Sequence, residues 1–175
     1  MKKMIFAALA MTSLSAFAGQ HTITGGYAQT SVKDAYSIVT NDDINPKGIN
    51  LKYGYEPDDS KIGIMTSLTI TGEENELHTP YGKVKEEIGY GSLMGGVSYS
   101  VTDWAKPYAL VGVARGAYKL TAFGDTDEET DTGFAYGAGV QFNPVSGFTV
   151  DAGVEAAKIG DVKTTTWVVG AGWRF

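Results

Sequence analysis

The sequence predicts an all-β fold, an eight-stranded antiparallel up-and-down transmembrane β-barrel, and three observations carry that prediction. Eight segments alternate with period two, their connections alternate between tight turns and long polar stretches, and aromatic residues collect at two depths of one face. Period two is the mark of a β-strand, because successive side chains point to opposite faces. The end of the chain displays it clearly: Lys163, Thr165, Trp167, Val169, Ala171, Trp173 and Phe175 share one face, and Thr164, Thr166, Val168, Gly170, Gly172 and Arg174 the other. Two Trp and a terminal Phe on one face need a protein core or lipid to receive them. Chain ends of soluble domains are ordinarily loose and polar.

Before the first strand, Lys2 and Lys3 precede an apolar run from Met4 to Met11, and Ala16-Phe17-Ala18 has the small-residue pattern of a cleavage site. Residues 1–18 read as a secretory signal peptide, because the run is far shorter than the roughly 20 residues a spanning helix needs. Cleavage after Ala18 leaves one domain, residues 19–175.

The first strand, Gln20 to Gln29, sets Ile23, Gly25 and Tyr27 against Thr22, Thr24, Gly26 and Ala28. The second, Gly48 to Glu56, alternates Ile49, Leu51, Tyr53 and Tyr55 with Asn50, Lys52 and Gly54, and Pro57-Asp58-Asp59-Ser60 turns the chain. The third, Lys61 to Thr71, carries Ile62, Ile64, Leu68 and Ile70 opposite Gly63, Met65, Ser67 and Thr69. The fourth, Ile88 to Val101, sets Leu93, Val97 and Tyr99 against Ser92, Met94, Gly96 and Ser98, with a turn at Thr102-Asp103. The fifth, Lys106 to Tyr118, is read with Tyr108, Leu110, Ala114 and Tyr118 outward and Val111, Val113 and Arg115 inward. The sixth, Gly133 to Phe142, has Phe134, Tyr136, Val140 and Phe142 outward, and Asn143-Pro144-Val145-Ser146-Gly147 reverses the chain. The seventh, Phe148 to Ala157, points Phe148, Val150 and Val154 outward and Asp151 and Glu155 inward; the eighth is the C-terminal strand.

Long connections follow strands one, three and five, and tight turns follow two, four and six, so the long ones share one end. Outer-membrane barrels have that asymmetry, with strands of about 9–11 residues across the membrane. Aromatics stratify accordingly: Tyr53, Tyr55, Tyr99, Tyr108, Phe142, Phe148, Trp173 and Phe175 near the short turns, and Tyr118, Phe134 and Trp167 near the long connections. A soluble eight-stranded barrel would turn its apolar face inward and has no reason to stratify its aromatics.

Removing Lys2 and Lys3 leaves 12 of the 14 basic residues against 20 acidic ones, a net charge of −8, which argues against nucleic acid as a partner. With no cysteine, stability rests on hydrogen bonding and packing. Glycine, 23 residues, falls mostly inside the strands, where a tightly curved wall or crowded lumen requires it.

Four segments, Gly25-Gly26-Tyr27-Ala28-Gln29, Gly48-Ile49-Asn50-Leu51-Lys52-Tyr53-Gly54-Tyr55-Glu56, Tyr136-Gly137-Ala138-Gly139-Val140-Gln141-Phe142-Asn143-Pro144 and Gly170-Ala171-Gly172-Trp173-Arg174-Phe175, carry a resemblance to the OmpX/Ail/Lom family of enterobacterial outer-membrane proteins. It covers every strand and all three tight turns, while the long connections are unlike the family's. It implies a barrel without an open channel, contact with outer-membrane lipid and lipopolysaccharide, and assembly by machinery that reads an aromatic C-terminus, matched here by Phe175 with Trp173. It further implies adhesion to host cells or matrix, invasion or complement resistance. A structural barrel or a small ion-conducting pore is the alternative function.

By parity, Lys52, Arg115, Asp151, Glu155 and Arg174 face the lumen, where charges persist only when paired, so they form a structural plug in preference to an ion path. In the connections, Tyr36, Ile38, Val39, His78, Tyr81 and Tyr118 are the candidate anchors for a partner, since binding evolves on loops held by a rigid scaffold. Asp125, Asp127, Glu128, Glu129 and Asp131 lack the spacing of a calcium loop and read as a solvated acidic stretch, so no metal and no cofactor is expected. Two histidines, His21 and His78, have no visible nucleophile partner, so the chain reads as a monomeric barrel and not as a lipid-modifying enzyme.

Overall fold

The computed structural model describes residues 19–33, 45–79, 82–122, 125–145, 147–160 and 162–175. Eight strands follow in chain order: β1 (Gln20–Lys33), β2 (Lys47–Glu56), β3 (Ile62–Thr79), β4 (Gly82–Tyr99), β5 (Ala105–Ala122), β6 (Asp125–Val145), β7 (Phe148–Ile159) and β8 (Val162–Arg174). Each pairs antiparallel with the next, and β8 returns to β1 through twelve positions, from Thr22↔Arg174 to Lys33↔Lys163, closing the barrel. Closure is what hydrocarbon demands, because an unpaired backbone N–H or C=O in lipid has no water to turn to. The last pair is made at the chain terminus itself: His21 N donates to Phe175 O (2.8 Å) and Phe175 N to His21 O (2.9 Å).

The outer face is apolar and exposed. Ile49, Leu93 and Phe134 are 68%, 60% and 61% exposed, within a band of Ile, Leu, Val and aromatic residues contributed by all eight strands. A soluble monomer does not carry an apolar band of that extent. Inside, Met65, Tyr90, Met94, Tyr108, Leu110, Ala114, Ala135, Ala157 and Ile159 form one buried apolar cluster, five of whose nine members come from β4 and β5. Polar and charged residues from all eight strands fill the remainder, among them Thr24, Asn50, Thr69, Ser92, Lys106, Gln141, Thr149 and Thr166.

Two expectations are corrected. The second and third long connections are not loops over their described residues: β3 and β4 remain paired to Thr79↔Gly82, and β5 and β6 to Ala122↔Asp125. Polar residues fall at both parities of these stretches of sequence, so no apolar alternation marks the strands. The parity of the fifth strand is also reversed. Tyr108, Leu110 and Ala114 are buried in the lumen, while Val111 and Val113 are exposed and Arg115 faces outward. Both faces of this strand are apolar, so hydropathy alone leaves its orientation undecided. The tight turn at Thr102-Asp103 decides it, setting the register Ser98↔Tyr108, and directly paired residues share a face. Ser98 lies inside, so Tyr108 does too.

Tyr108 accounts for two of the in-strand glycines. A Cβ on Gly139 or on Gly153 would fall against the Tyr108 hydroxyl. At the turns, Gly147 and Gly160 have φ of 84° and 57°, a left-handed backbone that glycine adopts without steric cost. Gly153→Val drives a branched side chain into the Tyr108 hydroxyl, and overpacking of this kind costs about 1–3 kcal/mol. The urea midpoint of the variant refolded in lipid bilayers is expected to fall accordingly, with Tyr108→Phe in the same chain recovering part of the loss.

Candidate functional site

The lumen is bridged by a continuous polar chain. Lys52 of β2 reaches across to Asp151 of β7, its Nζ donating to Oδ1 at 2.6 Å, with both side chains almost completely buried. The same ammonium donates to Asn50 Oδ1 (2.9 Å) and lies 5.5 Å from the centre of the Tyr108 ring, whose hydroxyl donates to Asp151 Oδ1 (3.2 Å). Asn50 Nδ2 in turn donates to Ser67 Oγ (2.9 Å) and Thr69 Oγ1 (2.8 Å) of β3. The chain ends on Glu155 of β7, which accepts from Ser67, Thr69 and Ser92 at 3.3, 2.9 and 3.0 Å. A second pair, the buried Lys106 to the half-buried Glu56 Oε2 at 2.8 Å with Ser100 donating to the same oxygen at 2.6 Å, lies toward the short-turn rim.

The five charges read from parity therefore have different surroundings. Lys52 and Asp151 pair with each other, and Glu155 is held by hydroxyls. Arg174 shares the inward parity but sits at the short-turn end, where its backbone N donates to Gly147 O. Four residues, about 13 Å, separate it along β8 from Gly170, the partner of Asp151. Arg115 is corrected to the outer surface, paired with Thr132 two positions beyond Val113↔Phe134. Lys106 and Glu56 were not among the candidates, although Lys106 shares the parity of Tyr108 and would have followed from placing that ring inside. Side chains from both walls meet at this level; Lys52, Met65, Met94, Gln141 and Val168 are all essentially without exposure.

Geometry at the short-turn rim engages His21. Its Nδ1 hydrogen-bonds Tyr53 Oη at 2.9 Å, and its ring lies 5.1 Å from Tyr55 and stacks on Phe175 at 5.8 Å. Trp173 faces outward and is 57% exposed. The aromatic pair at the chain end thus lies on the lipid-facing side, and Phe175 is clasped by the first strand.

The opposite rim is uneven. β7 ends at Ile159 and β8 begins at Val162, whereas the nine residues 71–79 of β3 follow its last outward isoleucine, Ile70, and the nine residues 125–133 of β6 precede Phe134. At about 3.3 Å per residue these lengths raise a wall of β3, β4, β5 and β6 about 30 Å beyond the apolar band. β6 meets β7 only from Phe134↔Lys158 onward, so 125–133 has β5 on one side and an open edge on the other among the described residues. On the low side, Lys33, Lys163 and Lys158 are consecutive cross-strand partners at positions of outward parity.

Of the candidate anchors, Tyr36, Ile38, Val39 and Tyr81 lie outside the described residues. His78 is in the raised part of β3, paired by its backbone with Lys83. Tyr118 is corrected from the outward face to the inward one, where it lines the mouth of the barrel together with Glu129 and Asp131. Among the described residues no cluster of three or more His, Asp or Glu is spaced to hold a metal ion.

Breaking the central pair has a defined cost. Lys52→Met leaves Asp151 charged and buried, a loss of about 3–5 kcal/mol, whereas Lys52→Met with Asp151→Leu removes both charges and is expected to regain most of it. Bilayer unfolding free energies of the two variants measure the difference; equal losses would mean that the pair does not bear on folding.

Comparison with known proteins places the chain. A family model for the outer membrane protein beta-barrel domain matches residues 4–175. The attachment invasion locus protein of Yersinia enterocolitica is 37% identical over 175 residues, covering 98% of this chain and 95% of that one. Outer membrane protein X of Escherichia coli K12 is 36% identical over 170 residues, covering 97% and 94%. The virulence membrane protein PagC of Salmonella typhimurium is 35% identical over 196 residues, covering both chains fully. Among solved structures, the crystal structure of Ail from Yersinia pestis in complex with the heparin analogue sucrose octasulfate superposes with a TM-score of 0.81 at 36% identity, covering 91% of this chain and 100% of that one. The chain is an integral barrel of the bacterial outer membrane, and it belongs to the OmpX/Ail/Lom family.

Proposed function

We propose that this protein is a surface attachment factor whose barrel is an anchor and whose raised β3–β6 wall grips the host cell or its matrix. The observation that carries this reading is the edge of β6 over residues 125–133, which has no β7 partner among the described residues. An unpaired strand edge offers a row of backbone donors and acceptors to any extended segment that approaches it, and such edges are ordinarily covered or shortened when they have no use. The names of the relatives, attachment invasion locus protein and virulence membrane protein, agree with a role at the host surface. The lumen supports an anchor over a pore, because its cross-section is filled by paired charges and methionines.

Contact with the membrane surface completes the anchor. Lys163 and Lys158, with Lys33 beside them in register, stand where β1, β8 and β7 leave the apolar band, positioned for the phosphate groups of outer-leaflet lipopolysaccharide. The approach to that position begins at the ends of the chain: residues 1–18 direct export and are removed, and Phe175 with Trp173 is the signal for the barrel-assembly machinery.

Replacing the raised ends of β3–β4 and β5–β6 by short turns is expected to leave a folded, outer-membrane barrel and to lower adhesion to cultured epithelial cells, matrix-coated wells and heparin-coated wells by at least about tenfold in one or more assays. The heparin arm is included because a relative was crystallised with a heparin analogue. Undiminished adhesion in all three would overturn the attachment reading. Intact mass of the protein recovered from outer membranes is expected to begin at Gly19, and Phe175→Ser is expected to lower the amount of folded barrel recovered there while the total synthesised is unchanged.

A further inference from the structure

Of the two carboxylates buried in the lumen, Asp151 has a lysine and Glu155 has none. Lys52 is taken by Asp151, and the other buried lysine, Lys106, by Glu56. Glu155 is 3% exposed, and its hydrogen-bond partners are the hydroxyls of Ser67, Thr69 and Ser92. Asn50 fixes the direction of two of these bonds. Its Nδ2 donates to Ser67 Oγ and Thr69 Oγ1, so both hydroxyls turn their own hydrogens toward Glu155 and hold it as an anion. A buried charge without an opposite one is costly, because the interior returns little of the hydration it has lost.

A second deficit lies beside this anion. Tyr90 of β4 is 5% exposed, and its hydroxyl is shut off from solvent yet makes no hydrogen bond. The polar neighbours of that hydroxyl are Ser92, Thr164 and Thr166, and the charge acting on it is that of Glu155. Two of these neighbours adjoin Glu155 as well: Ser92 donates to its Oε2 at 3.0 Å, and Thr166 is its direct cross-strand partner on the same face of the sheet. The hydroxyl is therefore aimed at the surroundings of Glu155. Buried hydroxyls are almost always bonded, so this one calls for a partner.

We propose that the lumen binds one alkali-metal ion of sodium size between Glu155 and the Tyr90 hydroxyl, with Ser92 and Thr166 supplying further oxygens. The donors at hand are a carboxylate and hydroxyls, hard oxygens that suit hard cations. A charge of one follows because a single anion is left without an opposite charge; a divalent ion would exceed it, and such ions ordinarily draw on several carboxylates and carbonyls. A bridging water would satisfy Tyr90 and leave the charge of Glu155 unanswered. Access is from outside: a cavity of about 470 Å³ at the outer mouth has Tyr90 and Thr164 in its lining, and so leads to the site. The site involves neither the edge of β6 nor the surface lysines, so it stands or falls apart from host attachment.

The test uses the full barrel refolded from urea into phosphatidylcholine bilayers, once in sodium chloride and once in choline chloride at equal concentration, choline being too large for the site. At a fixed urea concentration the ratio of folded to unfolded protein is expected to rise about tenfold for each tenfold of sodium above the dissociation constant, as one bound ion requires, and to be indifferent to choline. In isotopically labelled protein in nanodiscs of the same lipid, exchanging choline for sodium is expected to shift the amides of Tyr90, Ser92, Glu155 and Thr166 saturably. Glu155→Gln is expected to remove both responses. Tyr90→Phe, which takes away one oxygen and no charge and so keeps the test open if Glu155→Gln does not fold, is expected to weaken sodium binding about tenfold. Identical stability and spectra in the two salts would mean that a water alone meets the Tyr90 hydroxyl, and would overturn the proposal. Sodium shifts confined to exposed carboxylates such as Glu129 and Asp131, or a sodium response unchanged by both variants, would overturn it as well.

Discussion

The seam between β1 and β8 is the contact on which the rest of the structure depends. Hydrocarbon accepts no unpaired peptide group, so a spanning sheet of eight strands is tolerable only once its first and last strands meet. Here they meet over their full common length, ending in reciprocal bonds between His21 and Phe175. Closure at eight strands fixes a narrow interior, and narrowness dictates what may occupy it. A lysine inside such a tube has no water shell to fall back on, and Lys52 accordingly spends its ammonium on Asp151 and Asn50 with an aromatic face alongside. Small residues follow from the same constraint, because the Tyr108 ring is accommodated only where Gly139 and Gly153 present no Cβ.

The interior holds two groups of side chains. Met94, Leu110 and their apolar neighbours gather mainly on β4 and β5, with Met65 of β3, Ala135 of β6 and Ala157 and Ile159 of β7 beside them, and polar and charged residues occupy the rest of the lumen on all eight strands, Ser92, Lys106 and Gln141 among them. Tyr108 joins the two, its ring among the apolar group and its hydroxyl on Asp151. Glu155 shows how the polar group manages a carboxylate without a lysine or arginine at hydrogen-bonding distance: three hydroxyls from two neighbouring strands converge on it. Each donor is short and β-branched or small, so little side-chain freedom is lost in holding it.

How far the sequence could be read depended on what each face meets. Where lipid lies on one side and a polar lumen on the other, as at Ile49-Asn50-Leu51-Lys52, alternation is sharp and both strand and facing are legible. Where both faces are apolar, as at Tyr108 to Val113, the strand is legible but its facing is not, and the reading that put Arg115 inside failed for that reason. Where polar residues fall at both parities, as at Glu73 to Thr79, the strand itself vanishes from the pattern, although the backbone ladder continues to Thr79↔Gly82. The Lys52–Asp151 contact joins residues 99 apart in sequence, and parity can nominate both members without bringing them together. The surroundings of Glu155 were less accessible still, since Ser67, Thr69 and Ser92 carry no chemical signature until the strands assemble around it.

The continuity of the raised wall with the membrane-spanning strands has a mechanical consequence. β5 and β6 run without a break from the outer hairpin at Ala122↔Asp125 to the short-turn rim at Ala105↔Phe142. A pull applied at the hairpin is therefore directed along the strand axes, and the ladders that hold β6 to β7 and β5 to β4 are loaded in shear, with many bonds sharing the force at once, in place of being peeled one by one. No hinge intervenes between the site of traction and the bilayer. A cell held through this wall against flowing fluid would be tethered by a stiff strut whose resistance is that of the whole barrel.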